Sequence, residues 1–339
     1  MPVIDIFEHT EFLKGGAVHC YDGKKVISSV APEAVGFASF AEIPKAGGCC
    51  IRFISDSPVI TINYTITQPQ IISLPNIGIT VSRGLSYCFR ALGEKNWNNM
   101  DCFDCLEKSA VLTVNMSRFY ISENEKYEFM IFLPVSCFAS EFKITVADNA
   151  VFQPYEINSD EKKNAVMLGG FAGYGFGAVV AQMMLCNLLA KSNDHFEMKN
   201  LSFYTRNAWN YYEKMLDETD ECFDADFIFT ELLNSYISIE DFRKVFPLFM
   251  EKALTKTNAN IILWFIPCMR KDIDLYLDEA ERFIKSKGCE NRVTVCSSLI
   301  VNGSDALDRY TFSKNFMNDY GHIFVMQEIN KVLREKWNI

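Results

Sequence analysis

Between Val146 and Ala165 the spacing of apolar residues changes from one rule to another, and that change limits the chain to a fold of two unlike parts. Before it, Ile60, Ile62, Tyr64 and Ile66 alternate with Thr61, Asn63 and Thr65, the period-two pattern of a strand with one buried face. Short runs of the same kind recur at Ile51–Ile54, Val111–Val114, Glu128–Leu133 and Phe142–Val146, with Gly, Pro, Asn and Asp between them. The pattern predicts an antiparallel β-sandwich, jelly-roll-like, over residues 1–155.

Residues 156–339 read differently. Ala165–Leu168, Leu201–Tyr204, Phe227–Thr230, Ile261–Ile266 and Val293–Cys296 are short and apolar enough to be strands covered on both faces. Helix-length amphipathic segments lie between them, among them Gly177–Lys191, Ile239–Thr255 and Ile273–Lys287. A last helix is expected over Ile323–Lys336, with Ile323, Met326 and Ile329 along one face. Strands and helices in alternation predict right-handed crossovers and a parallel sheet of about five strands flanked by helices. The expected class is therefore α/β, a flavodoxin-like three-layer α/β/α domain behind an all-β domain.

Composition removes several functions. The 339 residues are 49% hydrophobic and carry a formal net charge of −10, with no Lys/Arg cluster to follow a phosphate backbone, so no nucleic acid is expected as a partner. The longest apolar stretch, Phe176–Cys186, is about half of what a membrane span needs. The first residues lack the basic and apolar regions of a secretory signal, which predicts a cytoplasmic location. Twelve cysteines include the adjacent Cys49 and Cys50 and one C-x-x-C, Cys102 and Cys105. No second pair or nearby histidine completes a zinc site, so no metal and no cofactor are expected, and the thiols read as those of a reducing compartment.

In an open parallel sheet, ligands bind beyond the carboxyl ends of the strands. The first such turn is Gly169-Gly170-Phe171-Ala172-Gly173-Tyr174-Gly175-Phe176-Gly177. Glycines there either let a ligand sit on a helix N-terminus or fit a tight corner. Gly173-x-Gly175-x-x-Ala178 also meets the loose dinucleotide fingerprint. That alternative needs an acid at the end of the second strand, and the chain offers Thr205-Arg206-Asn207-Ala208 instead.

On these residues the chain resembles the SGNH (GDSL-type) ester hydrolases that carry an N-terminal GxDLY-type β domain. The resemblance runs over nearly the whole length, through the β part, the Lys162-Lys163 entry, the apolar strand and the glycine turn. Such enzymes read Gly-(Ser/Thr/Asp)-Ser-Ile-Thr-x-Gly at the turn, the central Ser being the nucleophile; here Phe171 stands in its place. Their second strand ends in Asn-Leu-Gly, whose glycine N–H serves the oxyanion hole, and here the frame reads Asn200-Leu201-Ser202. Asn234 keeps the place of the oxyanion-hole Asn. Where the family has a catalytic Asp and His, this chain has Ser313 and Phe316. Gly78-Ile79-Thr80-Val81-Ser82 occupies the place of Gly-x-Asp-Leu-Tyr and keeps only the glycine.

What the resemblance implies follows from the chemistry. Acyl transfer by this route needs an oxygen nucleophile, a base within about 3 Å and donors for the oxyanion, and a phenyl ring supplies none of them. We therefore expect hydrolase activity to be lost and a binding role to remain, for a glycan, an acyl group or a protein partner. Phe171 and Phe316 should lie together at the carboxyl edge of the sheet, near Asn234. They either seal the cleft or join Gly170, Tyr174, Tyr204 and Asn234 in binding a ligand. The competing reading is an active carbohydrate esterase with relocated machinery. Its candidates are Asp319 and His322, a further Asp-x-x-His one turn beyond the catalytic slot, and the default for His322 is a structural histidine.

Overall fold

A computed structural model describes the chain apart from residues 39–42, 67–72, 75–78, 81–83, 104–108, 120–124, 206–207, 234–236 and 313–315. The N-terminal half folds into two antiparallel six-stranded sheets. In the first, the order is Ser109–Asn115, Val59–Ile66, Ala139–Val146, Lys24–Ser28 and Ala17–Tyr21, with Val3–Asp5 added beside Ala139–Val146. In the second, the order is Asn98–Phe103, Leu85–Ala91, Tyr127–Phe132, Cys50–Ser55 and Phe152–Pro154, with Leu13–Lys14 beside Cys50–Ser55. Ile60, Ile62, Tyr64 and Ile66 are buried and their alternates half-buried, as their spacing requires.

The two sheets share one core, to which the first gives Ile62, Phe142 and Ile144 and the second Ile51, Phe53 and Phe129. The second sheet is buried on its other face too. Cys50, Cys88, Met130 and Phe132 belong to a separate core that also holds Ala165, Val166, Met167 and Leu168. Alternation sends neighbouring residues to opposite faces, so a strand like Tyr127–Phe132, covered on both sides, has no exposed face at all.

At that covered face sit three charged side chains and a fourth from the other half. Arg52 Nε donates to Glu128 Oε1 at 2.6 Å, and Arg90 Nε donates to Glu128 Oε2 at 2.8 Å. Both guanidiniums continue to Asp194, just ahead of the Phe196–Asn200 strand. Tyr155 stacks on Arg52 at 3.7 Å and Trp97 on Arg90 at 4.3 Å, while Trp97 Nε1 donates to the Lys191 carbonyl at 3.0 Å. A buried charge is tolerable only when paired and hydrogen-bonded, and each of these is.

The C-terminal half holds a parallel five-stranded sheet in the order Phe196–Asn200, Lys163–Leu168, Phe227–Leu233, Asn260–Phe265, Val293–Val295. Helices follow the strands. Ile239–Lys256 starts on Ser238, whose Oγ accepts the Asp241 N–H at 3.1 Å, with Glu240 and Asp241 in the first turn where the helix dipole favours anions. The last helix, Asp319–Trp337, is capped by Asn318, whose Oδ1 accepts the Gly321 N–H at 2.9 Å. Among the described residues, no helix is long and apolar enough to cross a membrane.

Two expected elements are displaced. The second strand is Phe196–Asn200, not Leu201–Tyr204; the latter run is a buried loop that continues along the neighbouring strand through Leu201 N–H to Met167 O and Phe203 N–H to Gly169 O, both 2.9 Å. As the edge strand of the sheet, Phe196–Asn200 half-exposes Glu197 and Lys199, so it lacks the apolar run that marks a central strand. The helix expected over Gly177–Lys191 is shorter, Leu185–Ser192, because Gly177 adopts φ of +91° and the backbone is extended at Val180 and again at Met184, which breaks the helical path.

Candidate functional site

The site is built at the end of the Lys163–Leu168 strand, where the chain turns at Gly169 and Gly170 into the one-turn helix Phe171–Tyr174. The corner is too tight for side chains. A Cβ on Gly173 would come within 2.6 Å of Ser202 Oγ, and one on Gly177 within 1.8 Å of the Met317 carbonyl oxygen. The missing side chains let the loop after the second strand and the short strand Phe316–Met317 close onto the turn.

Glu231, from the central strand Phe227–Leu233, holds the turn from below. Its Oε2 accepts the Gly170 N–H at 2.7 Å and the Gly173 N–H at 3.3 Å. The side chain is 1% exposed, and burial pushes its carboxyl up to about 7 against the pull of the two N–H groups. Asn200 holds the turn from the side, its Nδ2 donating to the Gly173 carbonyl at 3.2 Å while its Oδ1 accepts the Ser202 N–H at 3.1 Å.

Above the turn lies a set of rings. Phe171 meets Tyr204 edge-on with centroids 4.7 Å apart, and lies 5.7 Å from Phe176 and 6.0 Å from Phe316. Phe176 stands 4.9 Å from Phe316 and 5.9 Å from Tyr204. Phe316 sits in the two-residue strand Phe316–Met317, paired with Thr311–Phe312. Phe171 and Tyr204 are half-buried, whereas Phe176, Phe316 and Tyr174 are buried.

The sequence candidates are thus distributed unevenly. Phe171, Phe316 and Tyr204 come together; Tyr174 lies 5.5 Å from Tyr204 but is 2% exposed and sealed beneath it. The Gly170 N–H is taken by Glu231, and the Ser202 N–H by Asn200, so neither is free for an oxyanion. Asn234, Ser313 and Gly78 lie outside the described residues, as does Cys105 of the C-x-x-C pair. Among the described residues, no group of three or more His, Cys, Asp or Glu could hold a metal ion.

Asp319 and His322 each make a contact with the segment that follows the turn. The Asp319 carboxylate accepts the Val179 N–H at 2.9 Å, and burial raises its pKa. His322 is fully buried, with Nε2 3.3 Å from the Phe176 carbonyl oxygen, and burial pushes it down to about 4. This contact links the last helix to the glycine turn.

The dinucleotide alternative also loses its physical basis. A pyrophosphate needs the N–H groups at the head of the turn, and two of them already point at the protein's own carboxylate.

Residues 42–152 match the family model GxDLY, described as the N-terminus of SGNH hydrolase-type esterases. The match lies within the β half. The mixed α/β fold around it is that of GDSL-like lipases. A protein described as a GDSL-like lipase from Bacteroides ovatus is 17% identical, with 100% of this chain and 98% of that chain covered at a TM-score of 0.74. The acetyl xylan esterase Est2A of the rumen bacterium Butyrivibrio proteoclasticus is 10% identical, with 99% of each chain covered and a TM-score of 0.61. A further carbohydrate esterase is 10% identical over 99% of this chain and 98% of that chain, at a TM-score of 0.53. At such identities the likeness is one of fold. No curated protein matches the chain.

Three residues that shape the turn were given no role of their own in the sequence: Glu231, Asn200 and Phe176. Glu231 had a visible signal, a lone carboxylate inside the apolar strand Phe227-Ile228-Phe229-Thr230-Glu231-Leu232. Asn200 had one as well, as the first residue of the Asn200-Leu201-Ser202 frame, whereas Phe176 had none, because its role depends on where the turn folds.

Proposed function

We propose that this chain is an SGNH-type fold that has lost the serine–histidine route to ester hydrolysis and binds an oligosaccharide at the aromatic cluster of Phe171, Tyr204 and Phe316. The observation that carries the reading is the half-buried, edge-on pair of Phe171 and Tyr204, 4.7 Å apart at the place where the family has its nucleophile. A sugar ring presents an apolar face of C–H groups, and a fixed aromatic ring is its natural complement. The last of the three structural relatives supports this reading, since its active site is described as having divergent catalytic and non-catalytic binding functions.

The reading takes residues 1–155 as a jelly-roll-like sandwich and residues 156–339 as a flavodoxin-like layer structure. It also keeps the protein in the cytoplasm. The ten described free cysteines, nine of them buried, fit a reducing compartment.

Calorimetric titration with cellohexaose and with acetylated xylo-oligosaccharides tests the binding, alongside p-nitrophenyl acetate turnover and labelling by a fluorophosphonate. Saturable sugar binding that Phe171→Ala weakens, with no labelling, is the expected result. Turnover abolished by His322→Ala would overturn the reading, as would binding of short acyl chains but no sugar.

A further inference from the structure

Phe171 owes its position to a turn whose two inward N–H groups, from Gly170 and Gly173, converge on one carboxylate oxygen of Glu231. We infer that Glu231 is the positioning residue of the aromatic site, setting the angle of the Phe171 turn and thereby the affinity for ligand; this rests on the oligosaccharide reading above. Glu231 touches no ligand itself, being buried under the turn.

Three features support the coupling. Gly169 and Gly173 lie so close that a Cβ on Gly169 would come within 2.7 Å of the Gly173 Cα, which leaves no room between the two ends of the turn. Asn200 fixes only the carbonyl side of Gly173, so the N–H side depends on Glu231 alone. Burial pushes the Glu231 carboxyl up to about 7, so its charge changes in the neutral range.

Other groups that could set that charge are few. The elements packed on Glu231 present Ser202 from the loop after the second strand, Trp264 from the neighbouring strand in register with it, and Tyr212 from the helix Trp209–Glu218. Among these described residues Tyr212 is the titratable one, and burial raises it further from neutrality, so it stays protonated. The ionised carboxylate accepts charge-assisted hydrogen bonds and the neutral acid accepts weaker ones. The turn is accordingly held more firmly above neutrality than below it.

The test follows the amide resonances of Gly170 and Gly173, and the cellohexaose affinity, from pH 5.5 to 8.5 in the native protein and in Glu231→Gln. The native amides should titrate with a midpoint near 7, and affinity should tighten about threefold or more across it. Both dependences should vanish in Glu231→Gln. Amides that stay still in the native protein would overturn the inference, as would an affinity profile unchanged by the substitution. Titrating amides with no sugar bound at any pH would refute the oligosaccharide reading while supporting the hold of Glu231 on the turn.

Discussion

Arg90 grips Asp194 with both terminal nitrogens, Nη1 at 3.1 Å from Oδ2 and Nη2 at 2.7 Å from Oδ1, so a strand of the β half is clamped to the edge of the parallel sheet. Glu128 lies behind the clamp and accepts from both guanidiniums at 1% exposure, so that Glu128 and Asp194 together balance the two arginine charges. Removing one member of a buried ion cluster leaves the others uncompensated, which costs about 3–5 kcal/mol. Glu128→Ala should lose that much stability in urea denaturation. Asp194→Ala should lose clearly less, because its side chain is 39% exposed and water takes over. Equal losses for the two would contradict this account of the cluster.

The glycines make a sharper contrast. Gly177 needs φ of +91° and leaves 1.8 Å between an added Cβ and the Met317 oxygen. Gly23 has φ of +71° with nothing near. Gly177→Ala should cost about 3 kcal/mol or more, from strain and overpacking together. Gly23→Ala should cost about 1 kcal/mol, from backbone strain alone. Chemical denaturation of the two variants side by side checks the difference.

Two buried groups pull the pH dependence of stability in opposite directions. Glu231 is raised from 4.5 to about 7, so its contribution is fully present below pH 4.5 and is lost as pH rises through about 7. His322 is lowered from 6.5 to about 4, so its contribution is present above pH 6.5 and is lost as pH falls through about 4. Each is worth roughly 3 kcal/mol across its window, and the two nearly cancel between pH 4.5 and 6.5. Glu231→Gln should therefore show stability rising with pH through that range. His322→Gln should show it falling. Identical profiles for native protein and both variants would remove the argument.

The rings of the site divide by burial. Phe316, at 5% exposure, is part of the core, and Phe316→Ala should cost roughly 3–5 kcal/mol. Phe171 is half-buried, and Phe171→Ala should cost less stability while weakening sugar binding about tenfold. A thermal melt and a titration on each variant separate packing from recognition.

The fold was legible wherever one rule governed a segment. Period-two alternation placed Val59–Ile66, and apolar runs with covered faces placed Lys163–Leu168, Phe227–Leu233 and Asn260–Phe265. The Phe196–Asn200 strand was missed because an edge position mixes Glu197 and Lys199 into its pattern, while the buried loop after it reads as apolar as a strand. In the site, sequence brought Phe171 and Phe316 to mind through the family's motifs, and their rings lie 6.0 Å apart. It could not show that Gly170 and Ser202 spend their N–H groups internally, because that depends on Glu231 and Asn200 arriving from elsewhere in the chain.

The Cys50–Ser55 and Tyr127–Phe132 strands take part in two interiors at once, one on each face. A peptide cut between residues 155 and 156 would therefore strip an oily wall bare on both fragments. Heating should melt the whole molecule in a single step, and any descendant of this chain, whatever becomes of its site, would have to preserve this shared partition in order to fold.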